Sequence, residues 1–88
     1  MARRYSIRFV ESAARSLKKL PVGPRVRIAA RIEALADNPY PPGTRKMAGE
    51  EHAYRIRVGD YRVGYDVLDD AIIVLVLRIG HRKDVYRS

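Results

Sequence analysis

The feature that most constrains the fold is a strict alternation of apolar and polar residues on both sides of a short turn. Residues 54–58 and 61–67 each alternate in this way, and the Gly59-Asp60 dipeptide between them is typical of a two-residue hairpin loop. Pairing the two segments around this loop places Val58 opposite Tyr61. The sequence therefore predicts a β-hairpin. Its apolar face would be formed by Tyr54, Ile56, Val58, Tyr61, Val63 and Tyr65.

The opposite face of this hairpin is dominated by arginine. The same register places Arg57 directly across from Arg62, and Arg55 across from Gly64. Like charges that face each other on a sheet are destabilising, whereas a bound polyanion would remove that repulsion. Gly64 leaves room for such a ligand to approach the backbone. The alternative is a solvated polar surface, in which each arginine keeps its charge in water. For the facing pair together with Arg82 we favour the functional interpretation.

The rest of the chain supplies a strand before the hairpin, two helices, and a strand after it. Residues 5–9 alternate as a short strand, and apolar residues then recur at helical spacing over 10–20 and 28–36. The second stripe is Ile28, Ala29, Ile32, Leu35 and Ala36. We expect an ordered loop over 38–49, because this segment carries three prolines and two glycines. Residues 71–79 are apolar at nearly every position, as in a strand covered on both sides.

The order of these elements predicts an α+β fold. A short N-terminal strand and two helices precede a three-stranded antiparallel meander, and the helices are expected to pack on one face of the sheet. The length of 88 residues suits one domain, which we expect to span residues 1–88. The orientation of Arg78 stays open. Counting from a turn at Asp69-Asp70 places it opposite Tyr61 on the apolar face, but the end of a strand could turn it outward.

Charge and composition limit the classes of function. The chain has 18 Lys and Arg against 10 Asp and Glu, and the net charge of +8 favours nucleic acid or an acidic protein as a partner. The absence of cysteine excludes a disulfide framework, a thiolate zinc site and a cysteine nucleophile. No apolar stretch is long enough to span a membrane, and the N-terminus lacks a signal-peptide pattern. We therefore expect a cytoplasmic protein with no membrane partner.

Few other side chains suggest chemistry. The two histidines, His52 and His81, are too few for a histidine-based metal site, so neither a metal nor another cofactor is expected. His52 lies beside two glutamates in a segment that is best interpreted as loop surface. His81 precedes Arg82 just beyond a predicted strand, and histidine is the side chain that ionises near neutral pH. His81 is therefore the candidate proton carrier.

Two segments resemble the RelE/ParE superfamily of bacterial toxin–antitoxin toxins. The first is Y-R-I-R-V-G-D-Y-R-V-G-Y over residues 54–65, and the second is G-H-R-K-D-V-Y over residues 80–86. The order of helices and hairpin agrees as well, so the resemblance covers nearly the whole chain. It implies a RelE-like fold and a ribosome-dependent, metal-independent endoribonuclease that cleaves mRNA by attack of a ribose 2′-OH on the adjacent phosphate. It also implies a cognate antitoxin, bound in a hetero-oligomeric complex.

The resemblance further implies roles for individual residues. Two alternating basic residues of RelE-type members fall on Arg55 and Arg57, the arginine after the turn on Arg62, the arginine after the last strand on Arg82, and the C-terminal tyrosine on Tyr86. RelE-type enzymes that carry lysine at the alternating positions can use one to take a proton. Arginine is a poor base because its guanidinium stays protonated. The residues expected to bind RNA phosphates are Arg45, Lys46, Arg55, Arg57 and Lys83. The residues expected in catalysis are Arg62 and Arg82 for charge stabilisation, Tyr86 for base stacking, and His81 for proton transfer.

Two other classes of function stay open. A ParE-like toxin of the same fold would poison DNA gyrase without chemistry of its own. ParE-type members generally lack the full set of arginines and tyrosine, which favours the nuclease. A basic nucleic-acid-binding module of a repressor complex would fit the charge, but no helix-turn-helix or stacking-platform motif is present.

Overall fold

A mixed sheet backed by two helices forms the framework of the protein. The computed structural model describes residues 4–46 and 53–81. In chain order the elements are β1 (Ser6–Phe9), α1 (Glu11–Lys19), α2 (Val22–Ala34), β2 (Arg45–Lys46), β3 (Ala53–Val58), β4 (Tyr61–Leu68) and β5 (Ile73–His81). The five strands lie in the order β1-β5-β4-β3-β2, with β1 parallel to β5 and all other neighbours antiparallel. The predicted α+β arrangement, including the antiparallel meander β3-β4-β5, is confirmed.

The first helix lies within the predicted segment 10–20, whereas α2 begins at Val22 and ends at Ala34, before the predicted stripe ends at Ala36. Glu11 lies in the first turn of α1, and Lys18 and Lys19 lie in its last turn, so these charges oppose the helix dipole favourably. Pro21 separates the two helices. Pro24 lies in the first turn of α2, where its missing N–H costs no intrahelical hydrogen bond.

The hydrophobic core lies between the two helices and one face of the sheet. The predicted hairpin register is confirmed, because Val58 pairs with Tyr61 and Tyr54 pairs with Tyr65. The buried core consists of Ala13, Ile28, Ile32, Leu35, Ile56, Val58, Val63, Tyr65, Val67, Val74, Val76 and Ile79. The prediction that Ala29 belongs to the buried stripe of α2 is wrong. Ala29 is exposed, because the residues at positions 28, 32 and 35 already define the inward face.

The loop after α2 contains a short strand that the sequence does not reveal. Arg45 pairs with Arg55, and Lys46 pairs with Tyr54, so β2 forms an edge of the sheet within the predicted loop. A strand of two residues has too short a pattern to show alternation.

The connection between β4 and β5 differs from the prediction in two ways. Leu68 pairs with Ile73, so the turn contains four residues, 69–72, rather than Asp69-Asp70 alone.

The register of β4 and β5 then shifts between the Tyr65–Val76 pair and the Gly64–Arg78 pair. This shift is a β-bulge with Leu77 as the extra residue of β5. The count that placed Arg78 opposite Tyr61 is therefore wrong. His81 is the partner of Tyr61.

None of the helices within residues 4–46 and 53–81 is long and apolar enough to cross a membrane.

Candidate functional site

Six arginines of the strands lie on the face of the sheet that the helices leave uncovered, Arg8 on β1 and five on β2 to β5. We call the surface formed by the five the arginine face, and it consists of Arg45, Arg55, Arg57, Arg62 and Arg78. They lie in two rows that run across the strands. The first row is Arg45–Arg55–Gly64–Arg78, and the second row is Arg57–Arg62–Gly80. Each row therefore contains one glycine, and at that position no side chain covers the backbone.

A cavity of ≈ 250 Å³ opens on this face near β3. Its lining is Gly43, Arg45, Arg55, Ile56, Arg57 and Arg62. Among residues 4–46 and 53–81, no carboxylate forms an ion pair with Arg45, Arg55 or Arg78. Guanidinium groups match the oxygens of phosphate in bidentate geometry. The arrangement therefore offers concentrated positive charge to a ligand that brings negative charge.

The hairpin turn holds the facing arginines in place. Arg57 pairs with Arg62 as the sequence predicts, and Arg55 pairs with Gly64. The Nε of Arg57 donates a hydrogen bond of 3.3 Å to the carbonyl of Gly59. Gly59 has φ of 60°, in the left-handed region that glycine adopts without strain. This hydrogen bond ties the side chain of Arg57 to the turn, which the sequence alone does not predict.

Three tyrosines in mutual contact anchor the loop that leads to Arg45. The buried Tyr65 hydroxyl donates a hydrogen bond of 2.7 Å to the carbonyl of Pro39, and burial raises the pKa of Tyr65. Tyr54 lies 6.0 Å from Tyr65 and 5.2 Å from Tyr40, measured between ring centroids. Burial, and then the charge of a neighbouring aspartate, also raise the pKa of Tyr40. These contacts fix residues 39–44 and so the start of β2.

Two of the predicted site residues are not brought to the arginine face. Lys46 pairs with Tyr54, so the alternation along β2 places Lys46 on the opposite face of the sheet from Arg45. His81 pairs with Tyr61, and their ring centroids are 5.4 Å apart in an edge-to-face contact. Tyr61 packs against the core on the helix side of the sheet. The expectation that His81 lies beside the arginines is therefore wrong, because the bulge in β5 shifts it to the other face.

Three further predicted site residues lie outside the described part of the chain. These residues are Arg82, Lys83 and Tyr86, and their roles stay predictions. The interpretation of His52 as loop surface also falls outside the described residues.

The structure adds Arg78 and Gly80 to the site. The signal was present in the sequence: Arg78 interrupts an apolar strand, and an uncompensated charge in a core is costly. This cost predicts that Arg78 faces outward, but it does not predict which residue of β4 lies across from it.

A helix-backed sheet whose open face carries a cluster of five arginines defines a small α+β domain with one strongly basic surface. Comparison with known proteins places it more narrowly. The family described as the ParE toxin of type II toxin–antitoxin system, parDE, matches residues 7–86. The chain therefore belongs to this toxin family.

The similar proteins are RelE-like toxins. Toxin RelG of Mycobacterium tuberculosis is 38% identical over 90 residues, covering 94% of this chain and 97% of that protein. The solved RelBE2 toxin–antitoxin complex of M. tuberculosis contains a chain with TM-score 0.80 and 27% identity, covering 93% of this chain and 95% of that chain. A chain of the RelB–RelE antitoxin–toxin complex from Methanococcus jannaschii has TM-score 0.74 and 31% identity, covering 91% of this chain and 95% of that chain. The protein is a RelE-like toxin of a type II toxin–antitoxin pair.

Proposed function

We propose that the protein is a ribosome-dependent endoribonuclease that cleaves mRNA without a metal ion. The observation that carries this proposal is the facing pair Arg57–Arg62 on an open, helix-free surface. A sheet gains nothing from two opposed guanidinium groups, but a phosphodiester between them would be bound by both. The glycines beside them, Gly64 and Gly80, leave the backbone accessible to a ribose–phosphate chain.

The chemistry is transesterification within the RNA strand. The ribose 2′-OH gives its proton to water or to a base of the ribosome that holds the RNA, and its oxygen bonds to the adjacent phosphorus. The bond from phosphorus to the 5′-oxygen of the next nucleotide breaks, and that oxygen takes up a proton from water or the ribosome. The products are a 2′,3′-cyclic phosphate end and a 5′-hydroxyl end. Negative charge grows on the phosphorane oxygens, and Arg62 is suited to stabilise it because its charge is already in position.

Dependence on the ribosome fits what the arginine face lacks. Guanidinium groups stabilise charge but do not take a proton at neutral pH. No histidine, lysine or tyrosine within the described residues belongs to the arginine face. The proton acceptor would therefore come from the partner that holds the RNA, and the same partner would help to align the 2′-OH in line with the phosphate, which accounts for a large share of many rate enhancements. mRNA held in the decoding site of a ribosome meets this need.

The test is cleavage of a defined mRNA by the purified toxin, with and without programmed ribosomes. We expect cleavage with ribosomes only, and a 2′,3′-cyclic phosphate on the upstream fragment by mass spectrometry. A 3′-hydroxyl end would contradict the proposed chemistry. The ParE-like alternative is measured in parallel as inhibition of gyrase supercoiling, because the matching family bears the ParE name. Gyrase inhibition with intact mRNA would establish that alternative instead.

We further propose that a cognate antitoxin neutralises the toxin by covering its charged or apolar surface. Solved relatives support this, since they include RelB–RelE and RelBE2 complexes. The net charge of +8 would speed association with an acidic segment, and apolar anchors would supply most of the affinity. Affinity purification from the native host should recover a small protein encoded next to the toxin. Free toxin that cells tolerate, with no such partner, would contradict the proposal.

A further inference from the structure

The β-bulge in β5 decides where Arg78 lies. Val74 and Val76 are buried with 0% exposure, so an unbroken alternation would turn Arg78 inward. Continuing the register of the Tyr65–Val76 pair would set Arg78 across from Val63, which is also 0% exposed. Burial of a guanidinium without a partner is costly. One extra residue, Leu77, avoids this cost and leaves Arg78 exposed.

The bulge gives Arg78 a particular neighbour as well as exposure. Arg78 pairs with Gly64, and Gly64 pairs on its other side with Arg55. Two strand spacings separate the Cα atoms of Arg55 and Arg78, a distance of about 10 Å. No side chain fills the space between them, because the residue there is glycine. Two arginine side chains can close on one phosphate from opposite sides across such a gap.

The two rows of the arginine face also match the repeat of an RNA strand. Arg57 and Arg62 lie in one row, and Arg55 and Arg78 lie in the next, two residues further along the strands. The rows are therefore about 7 Å apart, which is comparable with the spacing of successive phosphates in a single strand. A strand that crosses the face can place one phosphate in each row.

We propose that Arg78 binds RNA, and that with Arg55 it holds over Gly64 the phosphate adjacent to the one cleaved. This inference rests on the proposed function, and it assigns the two rows different tasks. The Arg57–Arg62 row acts on the scissile phosphate. The Arg55–Arg78 row acts on binding, because its phosphate does not react. A bulge beside the site re-aims the side chain that the second row needs.

The experiment is single-turnover cleavage of mRNA on programmed ribosomes over a range of toxin concentrations. It yields the maximal rate constant and the toxin concentration at half-maximal rate for Arg78→Gln, Arg78→Lys and Arg31→Gln. Arg31 is the matched control, because it is an exposed arginine of α2 on the helix side of the sheet. Thermal melts of each variant confirm folding.

We expect Arg78→Gln to raise the half-maximal concentration by about tenfold or more, since a hydrogen bond to a charged group is lost. Its maximal rate constant should stay within about threefold of wild type, because transition-state stabilisation is unchanged. Arg78→Lys should recover part of the affinity, and Arg31→Gln should resemble wild type. If Arg78→Gln and Arg31→Gln have the same half-maximal concentration, or if Arg78→Gln lowers only the maximal rate constant, the inference is overturned.

A second measurement separates this inference from the proposed function. The affinity of the toxin for a short fluorescent single-stranded RNA is measured by anisotropy at several salt concentrations. Loss of one phosphate contact should reduce the slope of log affinity against log salt by about 0.7. This reduction in Arg78→Gln, in a protein that cleaves no mRNA, would support the phosphate site and overturn the nuclease. An unchanged affinity and slope would overturn the phosphate site, whether or not the wild type cleaves mRNA.

Discussion

At the scale of single residues, Arg57 and Arg62 face each other on the two strands of the hairpin. Facing like charges on neighbouring strands cost up to about 1 kcal/mol. The hydrogen bond from Arg57 to the Gly59 carbonyl offsets little of this, because at 3.3 Å on an exposed side chain it is weak. A phosphate bound between the two arginines would remove this repulsion.

Replacement of Arg57 by glutamine separates the effect of this residue on stability from its effect on binding. Arg57→Gln keeps the stem and a polar tip but removes one of the facing charges, so the melting temperature should be unchanged or higher than in wild type. Growth inhibition should weaken, because a neutral amide does not offset the charge that develops on phosphate. Thermal melts and cleavage rates of the same preparation provide the check. A lower melting temperature together with undiminished cleavage would show that Arg57 has a structural role.

His81, the candidate proton carrier, packs its ring against Tyr61. Its ring contacts Tyr61 edge to face on the helix side of the sheet. His81→Phe preserves an aromatic ring at this contact, so we expect the cleavage rate to stay within about threefold of wild type. The pH–rate profile is the sensitive measurement. A limb near neutral pH that disappears in His81→Phe would return His81 to the role of proton carrier.

At the scale of elements, the hydroxyl of Tyr65 joins β4 to the loop after α2. Tyr65→Phe removes the buried donor to the Pro39 carbonyl, which should cost about 1–3 kcal/mol of unfolding free energy at pH 7. Burial raises the pKa of Tyr65 in the folded state. As the pH passes about 10, the tyrosine therefore ionises first in the unfolded chain, the unfolded state binds fewer protons, and the stability of wild type falls.

This pH dependence supplies the measurement for Tyr65→Phe. Urea unfolding at pH 7 and above pH 10 should show that the stability gap between wild type and variant narrows in alkali. Tyr40 also has a raised pKa, but it is present in both proteins and cancels from the comparison. If the stability difference between wild type and Tyr65→Phe is the same at both pH values, the Tyr65 hydroxyl has the same pKa in the folded and unfolded states.

The elements also show which parts of the fold follow from sequence. The hairpin could be predicted to the residue pair, because Gly59-Asp60 fixes the loop length and strict alternation fixes the faces. The β4–β5 register could not. Ile72, with φ of 57°, lies in the turn although it has an apolar side chain, and Leu77 is one apolar residue among many. In a strand that is apolar on both faces, alternation reveals neither the four-residue turn nor the bulge at Leu77.

At the scale of the whole molecule, the sheet has one apolar face and one strongly basic face, a division that the composition does not show. The helix side buries the apolar residues, and the other side carries arginines from all five strands, five of them clustered on β2 to β5. The net charge of +8 predicts a polyanionic partner, but only the strand order shows that five of the arginines share one surface. The arginines of β2 and β5 join those of the hairpin through long-range pairing, which no local pattern in the sequence reveals.

The measurement that tests the central claim most directly is the single-turnover rate of mRNA cleavage on programmed ribosomes by Arg62→Gln. Arg31→Gln serves as the control of equal charge, and melting temperatures confirm that both variants fold. If the arginine face stabilises the phosphorane, Arg62→Gln should lower the rate constant by about 10²–10³-fold while Arg31→Gln cleaves as wild type does. Equal rates for Arg62→Gln and wild type would contradict the assignment of the arginine face as the catalytic site.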